Sequence, residues 1–589
     1  MGSVEAQPLS ERADGGRRGG RVRRAGRALP RPRFGRGAAF LAPLTLLTLV
    51  AFDVPLALLL GQSVFDPSAT TANYREVVET EAYTRILGST LRVAAITTAI
   101  CLLLGYPLAL WLARMAPARR RIAIALLVLP FWVSILVRAY AWLVLLGNNG
   151  AVNRGLIELG IVGSPVQFLY DSAGVTLGTV SILLPFLVLP LYAGIARVDT
   201  RLLGAAASLG AGPATVLRRV LLPLTFPAAL AGAVLVFVLT LGFFVTPAVL
   251  GGGKVPLLAT LLDALVNDVG DWGLAAALSV LLLAATALAF ALVARLAGRG
   301  ALVGAMGGGA TASDTALHRA PVAPVTRGGR VALGAIGCVT FALLVAPVLV
   351  VVPMSFSSAA TLEFPPPGFS LRWYDALFSD ATWLDAARSS ALLALAASAI
   401  ALVLGAAAAY GLARRRGRGG GLLLAHFVAP VATPTIITAV ALYVAGAKTG
   451  LLGSWGGLLA AHVVLVAPFV VIVLAPAFRT VDERLERAAW SLGASRLTAL
   501  RRVVLPPLLP SLLSAWLFAF LVSFDELVVT YFVAGTHETL PKRMFNELAV
   551  EITPMVTAVS TLLVALTAAA LALSLAAGRR AGAGSPPTD

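Results

Sequence analysis

Twelve long apolar runs are the feature that most restricts this chain of 589 residues. They lie at about 38–61, 88–113, 122–146, 173–195, 225–250 and 273–297, then at about 331–355, 388–413, 421–446, 457–478, 508–533 and 552–577. Each is long enough to cross a bilayer as a helix of about 20 residues. With 13% charged residues and a mean hydropathy of +0.89, too little polar surface is left to cover a soluble globule of this size. Disorder is excluded for most of the chain because so apolar a sequence collapses. The expected class is an all-α integral membrane protein with about twelve spans.

The scarce charges are unevenly placed. They sum to +18, and 35 of the 46 Lys and Arg fall in the N-terminal tail and in every second loop: Arg114 to Arg121, Arg197 to Arg219, Arg295 to Arg330, Arg414 to Arg418, Arg479 to Arg502, and Arg579 with Arg580. The opposite loops carry most of the acids, among them Glu76, Glu79, Glu81, Asp263, Asp268, Asp271, Asp375, Asp380 and Asp385. The positive-inside rule then predicts a cytoplasmic membrane protein with both termini in the cytoplasm and an even number of spans. A nucleic-acid protein would concentrate its basic residues in one domain with interleaved aromatics, so no nucleic-acid partner is expected. Residues 1–37 read as a basic disordered tail, 298–330 as a Gly/Ala-rich linker and 579–589 as a second tail. The linker separates a first membrane domain at 38–297 from a second at 331–578. Cys101 and Cys338 both sit in apolar runs, and no His or Cys spacing predicts a metal site.

The two domains repeat each other. At a shift of 300 residues Gly105 meets Gly405, Leu112-Ala113-Arg114 meets Leu412-Ala413-Arg414, and Pro130 meets Pro430. The second domain then drops about 17 residues and the shift becomes 283. Asp199 now meets Asp482, Leu209-Gly210-Ala211 meets Leu492-Gly493-Ala494, and Leu222-Pro223 meets Leu505-Pro506. Six spans per domain make this a parallel repeat, with a pathway expected at the interface between the halves.

The best-matched segments are two cytoplasmic loops, DTRLLGAAASLGAGPATVLRRVLLP from Asp199 to Pro223 and DERLERAAWSLGASRLTALRRVVLP from Asp482 to Pro506. Each predicts a short helix, a turn at Gly and a second amphipathic helix, a shape suited to a partner's groove. These loops resemble the EAA loops of the permease subunits of binding-protein-dependent ABC importers. The shared residues are Ala205, Ala206, Gly210 and Pro223 in one loop, and Ala488, Ala489, Gly493 and Pro506 in the other. The Glu of the pattern is absent: Gly204 and Arg487 take its place, with Glu486 one residue early. The resemblance implies a type I permease fold, two coupling loops seated on a dimer of ATP-binding subunits, and an extracytoplasmic solute-binding protein as a further partner. It also implies a transporter and not an enzyme, with no catalytic residue and no cofactor of its own. The nearest phosphate-loop look-alike, Gly251-Gly252-Gly253-Lys254, has Ala248 and Val255 where Gly and Ser or Thr are required. ATP would therefore be bound by the partner subunit.

Further segments resemble the spermidine/putrescine type within this family: Arg138-Ala-Tyr-Ala-Trp142, Phe243-Phe-Val-Thr-Pro247 and Asp271-Trp272 in the first half, and Ser370-Leu-Arg-Trp-Tyr374 and Ser523-Phe-Asp-Glu526 in the second. The resemblance implies two permease subunits fused in one chain and a small cationic solute, a polyamine; relatives that carry opines, aminophosphonates or ferric iron share the segments loosely. Charges inside a membrane are costly, so Asp53, Asp525 and Glu526 stand out. With Trp132, Tyr140, Trp142, Phe243 and Phe244 they could hold a polycation by charge and cation–π contact. A second reading has Asp525 and Glu526 paired with Arg138 or gating the pathway, the aromatics forming an interface belt, and Asp53 ending a helix. An ion-coupled secondary transporter also has twelve spans in two parallel repeats. A membrane-embedded enzyme would need a nucleophile with a base, or a metal cluster.

Overall fold

The computed structural model describes residues 38–65, 68–128, 130, 133–297, 326–361, 364–415, 419–550 and 553–566. The tails, most of the 298–330 linker, Trp132 and the end of the last apolar run lie outside the described residues. Within them the chain is helical throughout, with isolated bridges but no strand. Hydrocarbon offers no partner to a free backbone amide, which favours elements that bond internally.

In the first half α1 (Ala38–Thr48) passes through a π turn into α2 (Val54–Gln62). There follow α3 (Ala72–Glu79), α4 (Glu81–Arg114), α5 (Pro117–Val128), α6 (Ile135–Leu146), α7 (Ala151–Glu158) and α8 (Ser172–Ala196). The first of the two repeated loops is α9 (Thr200–Ser208) and α10 (Pro213–Val216), which runs through a π turn at Leu217–Leu221 into α11 (Leu222–Leu241). α12 (Val245–Gly251), α13 (Leu258–Asp263) and α14 (Trp272–Ala297) complete the half. The second half has α15 (Arg327–Met354), α16 (Arg372–Ser379), α17 (Ala381–Ala413), α18 (Gly419–Ala432), α19 (Thr435–Thr449) and α20 (Trp455–Thr480). Its loop is α21 (Glu483–Ser491) and α22 (Arg496–Ala499), leading through a π turn at Leu500–Val504 into α23 (Leu505–Phe524). α24 (Val528–Val533), α25 (Leu540–Val550) and α26 (Met555–Leu566) follow.

The two sequence shifts map onto these elements. α4 and α6 begin 300 residues before α17 and α19; α8, α9, α10, α11, α12 and α14 begin 283 residues before α20, α21, α22, α23, α24 and α26. The residues lost between the shifts are those of α7 and its flanking loop, which have no counterpart in the second half. Even the π turns are paired. Leu222 bonds back to the Leu217 carbonyl and Leu505 to the Leu500 carbonyl, each one residue before a proline that cannot continue the α ladder.

Ten helices among the described residues are long and apolar enough to span, or eleven if a bent pair counts as one. The expected number was twelve, and the differences have local causes. The run at 421–446 is broken between α18 and α19 by a 92° bend at Thr433-Pro434. Proline disfavours helix at the residue before it and lacks the N–H needed to continue. The run at 122–146 is interrupted at the equivalent place, between α5 and α6. The runs at 225–250 and 508–533 stop at Gly242 and Asp525, and α12 and α24 start anew. The last run is described only as far as Leu566.

The halves interlock. The first span of each packs mainly on the other half: α1 on α17, α2 on α19, and α15 on α4 and α6. The largest buried cluster is shared across the seam, with Leu136, Tyr140 and Phe244 on one side and Ile437, Val440 and Phe532 on the other. Within each half the long spans touch at glycine. A Cβ at Gly405 would lie 2.7 and 2.9 Å from Val470 Cγ1 and Cβ, while at Gly105 it would meet the Leu187 Cδ2 methyl at 2.5 Å. The stiff β-branched Val470 cannot turn away as the end of Leu187 can. Gly405→Ala is therefore expected to cost about 1–3 kcal/mol and Gly105→Ala distinctly less, read as melting temperatures of the purified protein; equal losses would contradict this packing.

Candidate functional site

The two loops that resemble EAA loops have the expected helix–turn–helix shape. Asp199 caps α9 by accepting from the Arg201 amide at 2.9 Å, and Asp482 caps α21 by accepting from Arg484 at 2.8 Å. The turns close at Gly210 (φ +82°) and Gly493 (φ +86°), in the left-handed region that glycine adopts without strain. Ala205 and Ala488 are exposed; Ala206 and Ala489 are half-buried. Leu209 and Leu492, one residue before each glycine, are 89% and 88% exposed. Leu202 and Leu485 are exposed beside them, so each loop presents a matching pair of apolar side chains. Pro223 and Pro506 open α11 and α23 and are exposed.

The loops differ in how they are anchored. Glu486 is turned into the body of the protein and is 3% exposed, while Arg487 faces outward. Its carboxylate accepts from Tyr410 Oη at 3.0 Å and Arg414 Nε at 2.9 Å, and pairs with a second Arg414 nitrogen. The same guanidinium donates to the carbonyls of Phe478 and Val481 and lies 5.6 Å from the Tyr410 ring. In the first half Leu203 and Leu110 stand at the places of Glu486 and Tyr410, and both are buried in one apolar cluster with Val216 and Leu221. One loop helix is held by an ion pair, the other by leucines.

The seam is built from the breaks in the spans. Asp525 ends α23 and reaches the start of α6 in the other half, where Ile135 N donates to its Oδ2 at 3.4 Å, Ser134 hydrogen-bonds to it, and buried Arg138 supplies the opposite charge. A carboxylate at a helix N-terminus meets free amides and the positive end of the helix dipole. The symmetry-related contact contains no charge. Gly242 ends α11 and faces the start of α19, where an added Cβ would lie 2.7 Å from Pro434 Cβ and 3.1 Å from Thr435 N. Glu526 turns instead to its own chain, accepting from the amides of Val529 and Thr530, both at 2.9 Å, and so caps α24. His462 is buried between Ser523 Oγ (2.8 Å) and Thr530 Oγ1 (3.0 Å), bracing the break from α20. Thr179, Thr240 and Pro247 occupy the equivalent first-half places, so this network is one-sided and no repeat pattern points to it.

The remaining expected residues scatter. Asp53 lies in the first π turn, 3.7 Å from His426 Nδ1, whose other nitrogen is 2.8 Å from Thr48 Oγ1; this polar contact also joins the halves. Tyr140 donates to the Thr553 carbonyl across the seam at 2.8 Å. Trp142 donates to Ser181 at 2.7 Å inside the first half and is buried there. Phe243 packs within the first half, whereas Phe244 meets Tyr531 (5.9 Å) and Phe545 (5.6 Å) across the seam. Asp263 and Asp268 lie within electrostatic reach of Tyr531, and Glu547 of Tyr140. Burial holds the Asp263 carboxyl above its usual range, against the hydrogen bond from Asn267, with Asp268 adding to the rise. Asp263 and Asp268 thus stand near the ring group of Phe244, Tyr531 and Phe545 across the seam, an arrangement that motif reading did not single out, whereas Glu547 pairs with Arg543 at 3.9 Å.

Comparison with known proteins decides the family. The model of the binding-protein-dependent transport system inner membrane component matches twice, at residues 105–299 and 401–581. The chain belongs to this family. It is therefore a multi-pass permease that carries the permease domain twice. It is 37% identical over 220 residues to the spermidine/putrescine transport system permease protein PotB of Haemophilus influenzae, a match covering 37% of this chain and 77% of that protein. PotB of Escherichia coli is 36% identical over 213 residues, covering 36% of this chain and 77% of the relative. PotC of Haemophilus influenzae is 35% identical over 238 residues, covering 40% of this chain and 92% of the relative. A chain of a bacterial alginate ABC transporter, solved with an alginate-bound periplasmic protein, aligns with a TM-score of 0.40 at 18% identity, over 45% of this permease and 94% of that chain.

Removing one partner of a buried ion pair strands the other at about 3–5 kcal/mol. Glu486→Ala should therefore destabilise the permease strongly. The double change Arg414→Leu with Glu486→Leu, which removes both charges, should recover part of that loss. Thermal melts of the purified variants check both; a Glu486→Ala melt equal to wild type would refute the anchoring. At the seam, Asp525→Leu should couple to Arg138→Leu by about 0.5–3 kcal/mol in a double-mutant cycle, and strict additivity would show that the two charges do not interact.

Proposed function

We propose that this permease carries a polyamine of the spermidine/putrescine class into the cell, driven by ATP hydrolysed on a separate dimer of ATP-binding subunits seated at the two coupling loops. An extracytoplasmic binding protein would deliver the solute to the acid-lined end of the seam. The protein would lie in the cytoplasmic membrane with both termini in the cytoplasm, as its loop charges imply. The observation that carries the reading is that permeases named for spermidine/putrescine transport, PotB and PotC, both match at 35–37% identity and each accounts for only part of the chain.

The geometry supports it in two places. Leu209 and Leu492 stand almost fully exposed on loops that are otherwise capped and anchored. Exposed apolar side chains at matched positions fit grooves on two copies of one partner. Asp263 and Asp268 beside Phe244, Tyr531 and Phe545 provide what a flexible polycation requires: negative charge next to a group of ring faces. Asp525 and Glu526 already hold helix starts and Arg138, so their role in this reading is to keep the seam's breaks in place and not to bind solute.

The test is uptake of labelled spermidine into vesicles holding the permease, its ATPase and its binding protein. Uptake is expected to need ATP and to disappear without the ATPase. Uptake that survives in its absence and follows an ion gradient would establish a secondary transporter instead. Gly493→Asp and Leu492→Asp should each abolish ATPase co-purification while leaving the permease in the membrane. Joint replacement of Asp263 and Asp268 by Asn should lower spermidine uptake at least tenfold with ATPase binding intact; unchanged uptake would remove these acids from the pathway.

A further inference from the structure

A groove of about 490 Å³ lies between one end of α17 and the neighbouring end of α20, with Leu393 and Leu459 on its floor also packing into the buried cluster at the seam. Asp385, Arg388, Ser389 and Leu392 line one side and Trp455 and Leu459 the other. Spacings of three and four residues place the α17 members on a single helix face. The groove is polar at one end and apolar at the other, and its direction follows the helix axis.

Its depth in the bilayer follows from helix length. α17 has 33 residues, about 50 Å at a rise of about 1.5 Å per residue, against a hydrocarbon core of about 30 Å. Counting about 20 residues back from Arg414 at the other end brings the far edge of the core near Leu392. Arg388 and Asp385 then stand about 6–10 Å beyond that edge, at headgroup level. Trp455 is 44% exposed and stacks on His537, with ring centroids 4.4 Å apart; indole rings favour this interfacial level. Among the described residues neither Asp385 nor Arg388 makes a hydrogen bond or ion pair with another. Both are exposed and present an anion and a cation three residues apart to the same groove.

We propose that the groove binds one aminophospholipid, such as phosphatidylethanolamine. Arg388 takes the phosphate, Asp385 takes the ammonium, and an acyl chain runs along Leu392 and Leu459. Guanidinium suits phosphate because its donors match two oxygens at once. The opposite charges select a zwitterionic headgroup over a purely anionic one. In the orientation proposed above, the lipid comes from the outer leaflet. The site belongs to the second half alone. The matching first-half positions hold Arg85, Gly88, Ser89, Arg92, Ser172 and Thr176, with no aromatic wall, and Arg85 is paired with Glu81 at 2.5 Å.

Native mass spectrometry of the full permease, released from nanodiscs containing phosphatidylethanolamine and phosphatidylglycerol, tests this without reference to transport, so it stands or falls apart from the polyamine reading. Wild type should retain one phosphatidylethanolamine through delipidation. Asp385→Asn and Arg388→Ala should each cut that retention at least tenfold and leave phosphatidylglycerol unchanged; Arg85→Ala in the first half should change neither lipid. Phosphatidylethanolamine retention unaffected by Asp385→Asn and Arg388→Ala, in variants whose melting temperatures match wild type, would overturn the proposal. Displacement of the adduct by soluble O-phosphoethanolamine would overturn it as well, since a free headgroup would then suffice.

Discussion

A backbone amide buried away from water must find a partner, and the seam of this permease is arranged around that requirement. Two spans in each half break inside the protein, before α6 and α19 and after α11 and α23. Facing lipid, such breaks would leave amides and carbonyls unpaired at several kcal/mol each. Here the broken ends meet across the seam: Asp525 covers the start of α6, and Gly242 lets the end of α11 close on Pro434 and Thr435. The breaks require both halves to be present, and the exchange of first spans keeps the halves together.

The repeat is geometrically close but chemically uneven. At four related places the second half holds a polar or charged side chain where the first holds an apolar or smaller one: Glu486 for Leu203, Asp525 for Gly242, Glu526 for Phe243, and His462 for Thr179. Each of the four has hydrogen-bond partners. A satisfied polar network costs little and fixes one arrangement, whereas the same groups unsatisfied would be expensive. These four side chains give the second half polar anchoring that the related first-half positions lack.

Much of this could be read from the residues. The shifts of 300 and 283 located the starts of paired helices, because capping and turn residues recur with the elements they begin and end: Asp199 with Asp482, Gly210 with Gly493. The break after α11 was hidden by hydropathy, since the residues around Gly242 are as apolar as the spans they interrupt; the other breaks carried local signals, Pro130, Pro434 and Asp525-Glu526. Asp525 and Glu526 were recognisable as unusual, but their partners lie hundreds of residues away or in a helix that begins only because of the break. The acid pair near Tyr531 was hidden for the same reason. Asp263 and Asp268 read as ordinary loop charges until the halves are brought together.

The anchoring of the two loop helices bears on how a displacement at either loop passes into the spans. The ion pair of Glu486 with Arg414 is bound to one geometry by several hydrogen bonds and ties α21 to the end of α17. The Leu203–Leu110 contact that replaces it is non-directional, and apolar surfaces slide over small distances at little cost. A displacement applied equally to both loops is therefore transmitted stiffly into the second half and with more slack into the first. Because α17 carries α1 and α20 on its flanks, the stiff path leads directly to the span exchange that joins the halves. Unequal linkage of two similar halves follows from two substitutions, Leu to Tyr at 410 and Leu to Glu at 486, read as differences between one repeat and the other.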